Sequence, residues 1–153
     1  MNNEKEKEKN KYMEKEAEIV LAQWQTCVEM ANSISQRRDA MNNVFITVNL
    51  ALITAVSLTF EIKSIFILAA GIILCILWRL FIRYYKILNE VKFSVIQEIE
   101  THLPMKPFKE EWIELKSRKK YKDATKLEFI LPVAFSIVYV CIIIFIVLMK
   151  TIK

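Results

Sequence analysis

The hydrophobic residues of the chain are concentrated in three long stretches that contain almost no charge. They are residues 44–60, residues 65–80, in which Arg79 is the only charge, and residues 129–149. The first stretch contains 17 residues and the last contains 21. Because a helix rises about 1.5 Å per residue, about 17 to 25 apolar residues cross the hydrocarbon core of a bilayer. The pattern predicts an integral membrane protein with three membrane-spanning helices.

The second stretch is the shortest, since only the 14 residues from position 65 to position 78 are uncharged. The long side chains of Arg79 and Arg83 can reach the headgroups while Trp78 lies in the interfacial belt, which extends this span to Ile82. Three residues, 61–63, separate the first two stretches, and so short a connection predicts an antiparallel hairpin of two spans. The alternative is a re-entrant hairpin followed by a single span.

The segments that flank the hairpin also have helical periodicity. Small or apolar side chains recur every three or four residues before the first span, at Ala17, Val20, Trp24, Cys27, Ala31 and Ile34, and after the second span, at Tyr84, Leu88, Val91, Val95 and Ile99. The first series predicts a helix that packs on neighbouring helices of the same subunit or on another subunit. Pro104 and Pro107 end the second series because proline lacks an amide donor, and a new helix is expected to begin near Pro107.

These patterns predict an all-α integral membrane protein, and Gly71, the only glycine, lies inside the second span rather than in a turn. We expect a cytoplasmic N-terminal helix with a charged tail at residues 1–42 and a transmembrane hairpin at residues 43–82. A cytoplasmic helical hairpin is expected at residues 83–126, followed by a third transmembrane helix with a short external tail at residues 127–153.

The distribution of cations predicts the orientation in the membrane. Of the 22 lysines and arginines, seven precede the first span and twelve lie in residues 79–126, whereas Lys63, Lys150 and Lys153 are on the other side. Because cytoplasmic loops carry an excess of cations, the N terminus should be inside and the C terminus outside the cytoplasmic membrane. The net charge of +5 and the basic residues 116–122 are assigned to lipid headgroups rather than to nucleic acid.

The sequence contains no motif that predicts catalysis. His102 is the only histidine, and Cys27, Cys75 and Cys141 do not have the spacing of metal ligands. A chain with one glycine also has no phosphate-binding loop and no dinucleotide-binding fingerprint. We therefore expect a protein that is not an enzyme and that binds no cofactor or metal ion.

Polar residues in the first span form one candidate site. At about 100° per residue, Asn43, Thr47, Thr54 and Ser57 fall within about 80° of one another, and Asn49 lies beyond the edge of this group. Polar side chains in hydrocarbon require partners, and helices associate around them. These five residues are therefore expected to pack within one subunit, to face a subunit interface or to line a water-filled lumen.

Charged residues at the ends of the spans form a second candidate site. Those expected at similar depth are Arg37, Arg38, Asp39, Arg79, Arg83 and Glu128, and Arg38, Arg79 and Glu128 are the interfacial charges of greatest interest. Arg79 lies inside its span. It is expected either to pair with Glu128, which would offset the desolvation of both groups, or to reach the headgroups independently.

A series of residues distributed along positions 20–140 resembles a known family. The series is Arg37-Arg38, Asn42-Asn43-Val44-Phe45, Leu77-Trp78, Tyr84, Leu88-Asn89, Lys92-Phe93, Ile96, Glu100, Leu103-Pro104, Pro107-Phe108, Glu111-Trp112, Tyr121, Glu128 and Pro132. Its order and spacing are similar to those of the RipA-type family of small bacterial membrane proteins, which are described as octameric. The resemblance implies a homo-oligomeric ring of eight subunits in the cytoplasmic membrane, without known catalysis.

Three functions of different classes are compatible with these features. By analogy with other small bacterial membrane proteins with large cytoplasmic helices, the first is a membrane-permeabilising effector of antiphage defence by abortive infection, triggered by a phage protein assembly. The second is a non-enzymatic scaffold or regulatory protein, and the third is a constitutive small-ion channel. Contacts with a cytoplasmic partner are expected at Trp24, Leu103, Phe108 and Trp112.

The orientation can be tested with single cysteines and a membrane-impermeant thiol reagent added to intact cells. A cysteine that replaces Lys63 should be labelled, whereas a cysteine that replaces Lys119 should be labelled only after the membrane has been opened. The reverse pattern would show that the predicted orientation is wrong.

Overall fold

The computed structural model describes residues 2–58, 61–118 and 124–152, and nearly all of them are helical. Five helices follow one another: α1 (Asn2–Ser57), α2 (Ser64–Ile99), α3 (Pro107–Ser117), α4 (Ala124–Glu128) and α5 (Ile130–Thr151). A 3-10 turn, Glu100–His102, directly follows α2. The described ranges contain no β-strand, so the predicted all-α fold is confirmed.

Among the residues that the structure describes, three helical segments are long and apolar enough to cross a membrane. They lie within Lys5–Ser57, Ser64–His102 and Thr125–Thr151, one for each apolar stretch of the sequence. This agrees with the prediction of an all-α membrane protein with three spans. Thr59 and Phe60, at the end of the first stretch, lie outside the described residues.

The helix boundaries follow the sequence signals closely. Helix α2 extends to Ile99 and α3 begins at Pro107, as predicted, and α1 continues without interruption through Arg37 and Arg38 into the first span. Proline is favourable at this position because the first residues of a helix have no intrahelical partner for their amide groups. The basic residues 116–122 are described only as far as Arg118, so Lys119 and Lys122 lie outside the described residues.

The contacts divide the chain into two compact units, and the first consists of Met1–Ser35 with Ile87–Tyr121. Phe108 at the start of α3 lies between two other aromatic rings, with centroid distances of 5.9 Å to Trp24 of α1 and 5.8 Å to Phe93 of α2. Ala31 and Ile96 are buried in the same unit. From Val20 onward, the periodic series of α1 therefore packs within the subunit.

The part of α2 that follows the second span, residues 83–99, does not pack through the helix face that carries its apolar series. Tyr84, Val91 and Val95 are exposed, whereas Ile96 is buried and Leu88 is half-buried. The apolar series predicts the helix, but the position of α3 and α1 determines which of its residues are covered. An apolar row therefore remains uncovered on this part of α2.

The second unit consists of Gln36–Lys86 with Lys122–Lys153, and in it α1, α2 and α5 pack side by side. Two clusters form its interior. One is centred on Phe45, Trp78 and Ile82, and the other contains Val56, Leu68, Cys75, Tyr139 and Ile146. The rings of Phe45 and Trp78 are stacked at 5.5 Å, and the Trp78 indole donates to Asn42 Oδ1 at 2.8 Å.

Gly71 determines how closely α5 approaches α2. A Cβ atom at this position would lie 2.7 Å from Cε2 of Tyr139, well inside van der Waals contact. The absence of a side chain lets the Tyr139 ring lie directly on the backbone of α2. Small residues allow the same close approach at many helix interfaces in membranes.

We therefore expect Gly71→Ala to destabilise the second unit by about 1 to 3 kcal/mol, the usual range for overpacking of a filled interior. The measurement is the midpoint of unfolding in detergent by added SDS, followed by circular dichroism and tryptophan fluorescence. Ala70→Leu is the matched control because Ala70 is exposed on the same helix and can accept a larger side chain. Equal midpoints for Gly71→Ala and the wild type would contradict this account of the glycine.

Candidate functional site

The polar stripe of α1 consists of Asn43, Thr47, Thr54 and Ser57, and all four residues are exposed in the subunit. Each of the three hydroxyl groups donates to the backbone carbonyl four residues earlier, at 2.8 to 2.9 Å. This bond satisfies the hydroxyl within its own helix. The side-chain amide of Asn43 has no partner in the described part of the chain. The polar stripe therefore presents hydrogen-bonding groups to whatever covers α1.

Asn49 follows the first of the three alternatives, packing within one subunit, and lies neither on the exposed side of α1 nor with the polar stripe. It is fully buried, and its Oδ1 accepts hydrogen bonds from the Tyr139 hydroxyl at 2.7 Å and the Cys75 thiol at 3.4 Å. Its amide nitrogen donates to the carbonyl of Phe45 at 2.7 Å. The difference follows from helix geometry, since Asn49 lies about 120° from the middle of the polar stripe. Asn49 thus joins three helices within one subunit.

The charge pair at the end of the spans involves Arg38 rather than Arg79. The Arg38 guanidinium donates to Glu128 Oε2 from Nη2 at 2.6 Å and from Nε at 2.9 Å, and Nη2 also donates to the Thr125 hydroxyl at 3.0 Å. The side chains of Arg38 and Glu128 are 13% and 22% exposed. The first of the two alternatives for Arg79, a pair with Glu128, is therefore wrong. The continuous helix α1 places Arg38 next to Glu128, and the carboxylate is paired with that guanidinium.

Arg79 instead lies on an open groove between α2 and α5. The groove has a volume of about 290 Å³ and is lined by Arg79, Val133, Ser136, Ile137, Val140 and Cys141. Arg79 is exposed and has no ion-pair partner among the residues that the structure describes. Its surroundings agree with the alternative expectation, an arginine that is not paired within its own subunit.

The residues expected to contact a partner all lie in the first unit, but they differ in exposure. Trp24, Leu103 and Phe108 are half-buried, and Trp24 and Phe108 pack on each other. The Trp24 indole nitrogen is buried without a hydrogen-bond partner in the described ranges. Trp112 is 43% exposed, and the Lys116 ammonium lies 5.0 Å from the centre of its ring. Trp112 is therefore the most accessible of the four.

Glu100 has a role that sequence analysis did not assign. It is fully buried, and its two carboxylate oxygens accept the backbone amides of Phe108 and Lys109, each at 3.1 Å. These amides belong to the first turn of α3, where they have no intrahelical partner and where negative charge is favourable. Glu100 thereby fixes the start of α3 against the end of α2. The sequence signal was a carboxylate just before a proline-containing turn, but only the turn geometry shows which amides it reaches.

The described residues contain no group of three or more metal-ligating side chains. His102 is exposed in the 3-10 turn, Cys27 is half-buried, Cys75 is buried and Cys141 is exposed. The expectation that the protein is not an enzyme remains a prediction.

The ion pair between Arg38 and Glu128 should contribute measurably to stability. We expect Glu128→Gln to destabilise the second unit by about 1 to 3 kcal/mol, because the partly buried guanidinium loses charge-assisted hydrogen bonds. The midpoint of SDS-induced unfolding measures this effect. Lys126→Gln, an exposed change in the same helix, should leave the midpoint unchanged. A similar shift for both variants would show that the pair contributes nothing specific.

Comparison with known proteins identifies the family of the chain. The model of the octameric membrane protein family (8xMP) matches residues 21–149. No curated protein and no solved structure matches the chain. The family name indicates an octamer and so supports self-assembly, and together with the three candidate spans it places the protein in a membrane. The chain belongs to the octameric membrane protein family.

Proposed function

We propose that this protein is a membrane-permeabilising effector of bacterial antiphage defence. In this proposal the homo-oligomer remains closed until contacts at its first unit change the arrangement of its membrane helices, and the resulting leak causes abortive infection. The observation that carries the proposal is the exposure of the polar stripe on the outer side of α1, within an apolar span.

The position of the polar stripe supports a role outside the single subunit. The side of α1 that packs on α2, α4 and α5 contains Arg38, Phe45, Asn49 and Val56. At about 100° per residue, the centre of this packed side lies about 140° from the centre of the polar stripe. A lipid-facing surface has no need of four polar residues, whereas a subunit interface or a water-filled path does. In an assembly of eight subunits this polar surface is repeated eight times.

The exposed surface of α3 supports triggering by a protein partner. Trp112 and Ile113 of α3 are 43% and 61% exposed, and Met105 in the turn before α3 is 73% exposed, in a segment that is predicted to be cytoplasmic. Exposed apolar and aromatic residues in water are typical of protein-binding surfaces. A phage protein assembly with rotational symmetry suits an octamer, because contacts at repeated subunits increase the effective concentration of each further contact. The link to phage rests on the analogy of architecture.

Two other functions make different use of the same features. A non-enzymatic scaffold would use the surface of α3 to recruit a partner and would need no conductance. A constitutive small-ion channel would use the polar stripe as a permanent lining. The three functions differ in when the membrane becomes permeable.

Membrane potential in bacteria that express the protein from an inducible promoter distinguishes the three. A potential-sensitive dye should report depolarisation only after phage infection, and cell growth should stop before new phage are released. A constant leak after induction would instead indicate a channel. No change of potential under any phage challenge would remove the effector proposal in favour of a scaffold.

Variants connect this response to the two surfaces. Trp112→Ala should abolish the infection-dependent response, and the double variant Thr47→Val with Thr54→Val should reduce it to that of the empty vector, because both hydroxyls are lost at nearly constant shape. Thr26→Val is the matched control, since the Thr26 hydroxyl makes the same local bond to Ala22 outside the polar stripe. Membrane fractions should contain every variant in equal amount. Wild-type responses from both surface variants would show that these surfaces do not carry the function.

A further inference from the structure

Three of the charged side chains at the end of the spans, Asp39, Arg79 and Arg83, have no partner among the residues that the structure describes. Asp39 on α1 and Arg79 and Arg83 on α2 are exposed, and none of them makes an ion pair or hydrogen bond in the described part of the chain. Their neighbours Arg38 and Glu128 are paired with each other. The neighbouring Arg37 cannot pair with Asp39 easily, since residues two apart on a helix do not face each other.

The three charges lie at nearly the same depth in the second unit. The hydrogen bond between Trp78 and Asn42 sets the register of the antiparallel helices α1 and α2. Asp39 is three residues from Asn42, while Arg79 and Arg83 are one and five residues from Trp78 in the same direction along the bundle. At about 1.5 Å per residue, Asp39 falls between the two arginines, about 3 Å from the level of each.

Asp39 and the two arginines nevertheless lie on different sides of the bundle. On a helical wheel Asp39 falls within the angular range of the polar stripe, about 40° from Asn43. Arg79 lines the groove between α2 and α5, to which α1 contributes no residue. Asp39 therefore cannot reach Arg79 or Arg83 of its own chain, because the carboxylate and the two guanidinium groups lie on different sides of the bundle.

Such a pair of surfaces is what a cyclic assembly requires. Its subunits join head to tail, so each contact uses two different surfaces of the same chain. In a ring of eight, neighbours are rotated by 45°, which places the two contact directions of a subunit about 135° apart. The polar stripe points about 140° away from the side of α1 that packs within the subunit. The groove lies between α2 and α5, with no α1 residue in its lining, so the two surfaces are distinct, as a head-to-tail contact requires.

We propose that the polar stripe of one subunit lies in the groove between α2 and α5 of the next, with Asp39 between Arg79 and Arg83 of the neighbouring subunit. The groove supplies apolar walls from Val133, Ile137 and Val140, and Ser136 and the cation supply its polar groups. The occupant is a second copy of this chain, and the contact is repeated around the ring. This inference rests on membership of an octameric family and is independent of whether the ring permeabilises membranes.

Charge reversal with measurement of subunit number by native mass spectrometry in mild detergent tests the contact. Asp39→Arg should lower the association constant at each interface by tenfold or more, the expected loss for a partly desolvated charge pair, and shift the octamer to smaller species. Adding Arg79→Asp or Arg83→Asp to the same chain should restore the octamer. If neither second change restores it, the proposed pair is wrong.

The same spectra distinguish a neighbouring subunit from a bound lipid. Arg79→Gln should weaken assembly without changing the amount of phosphatidylglycerol retained from vesicles of phosphatidylglycerol and phosphatidylethanolamine. Loss of phosphatidylglycerol from Arg79→Gln octamers of unchanged subunit number would assign the groove to an anionic lipid and overturn the proposal.

Cross-linking locates the contact without altering any charge. Helix α1 pairs with a constant offset of 90 residues, from Arg38 with Glu128 of α4 to Asn49 with Tyr139 of α5. Cys141 in the groove is therefore level with position 51. Leu50→Cys, on the side of the polar stripe, should therefore form disulfide-linked dimers and higher species with native Cys141 when a copper–phenanthroline oxidant is added.

Two variants make this cross-linking specific. Leu50→Cys combined with Cys141→Ser should give no cross-link. Ile73→Cys, at the same depth on an exposed side of α2 away from the groove, should also remain monomeric on a denaturing gel. Cross-linking of Ile73→Cys with Cys141, or its absence for Leu50→Cys, would overturn the assigned interface.

Discussion

The contact of Tyr139 with Gly71 and Asn49 holds the three membrane helices together. The ring lies on α2 where a glycine leaves room, and the hydroxyl donates to an amide oxygen of α1. In hydrocarbon there is no apolar driving force between helices, so close packing and interhelical hydrogen bonds have to supply the association. Tyr139 supplies both, because its ring packs closely on Gly71 and its hydroxyl forms an interhelical hydrogen bond with Asn49. The interior on either side of it is filled mainly by apolar and aromatic side chains, which fit once the distances between the helices have been fixed.

The polar contacts along α1 form a regular series rather than isolated bonds. Arg38 reaches α4, Asn42 reaches α2, and Asn49 reaches both α2 and α5. The separations of four and seven residues keep these contacts on one side of the helix. A shift of α2 by one turn would break its contacts with both Asn42 and Asn49, and a shift of α4 and α5 would break those with Arg38 and Asn49. The register of the bundle is therefore determined by three polar side chains at different depths, while the apolar residues between them supply most of the contact area.

Much of the fold follows from the sequence, because apolar length, proline position and helical periodicity are local properties. The spans, the continuous α1, the end of α2 and the start of α3 could all be predicted in this way. The partners of single side chains could not. Whether Arg38 or Arg79 reaches Glu128 depends on which helix is nearer. The burial of Asn49 depends on its position about 120° from the middle of the polar stripe on the same helix. The carboxylate of Glu100 meets α3 only because of the path of the turn at residues 103–106.

The local hydrogen bonds of Thr47, Thr54 and Ser57 have a consequence for biogenesis. A helix whose hydroxyls are already bonded to its own backbone can enter lipid as a single subunit at little cost. Insertion therefore does not have to wait for other copies of the chain, and newly made subunits can diffuse in the bilayer before they meet. The Asn43 amide lacks such a bond, so it can form a new hydrogen bond when two subunits associate. The favourable free energy of association from this stripe is therefore concentrated at the membrane–water interface.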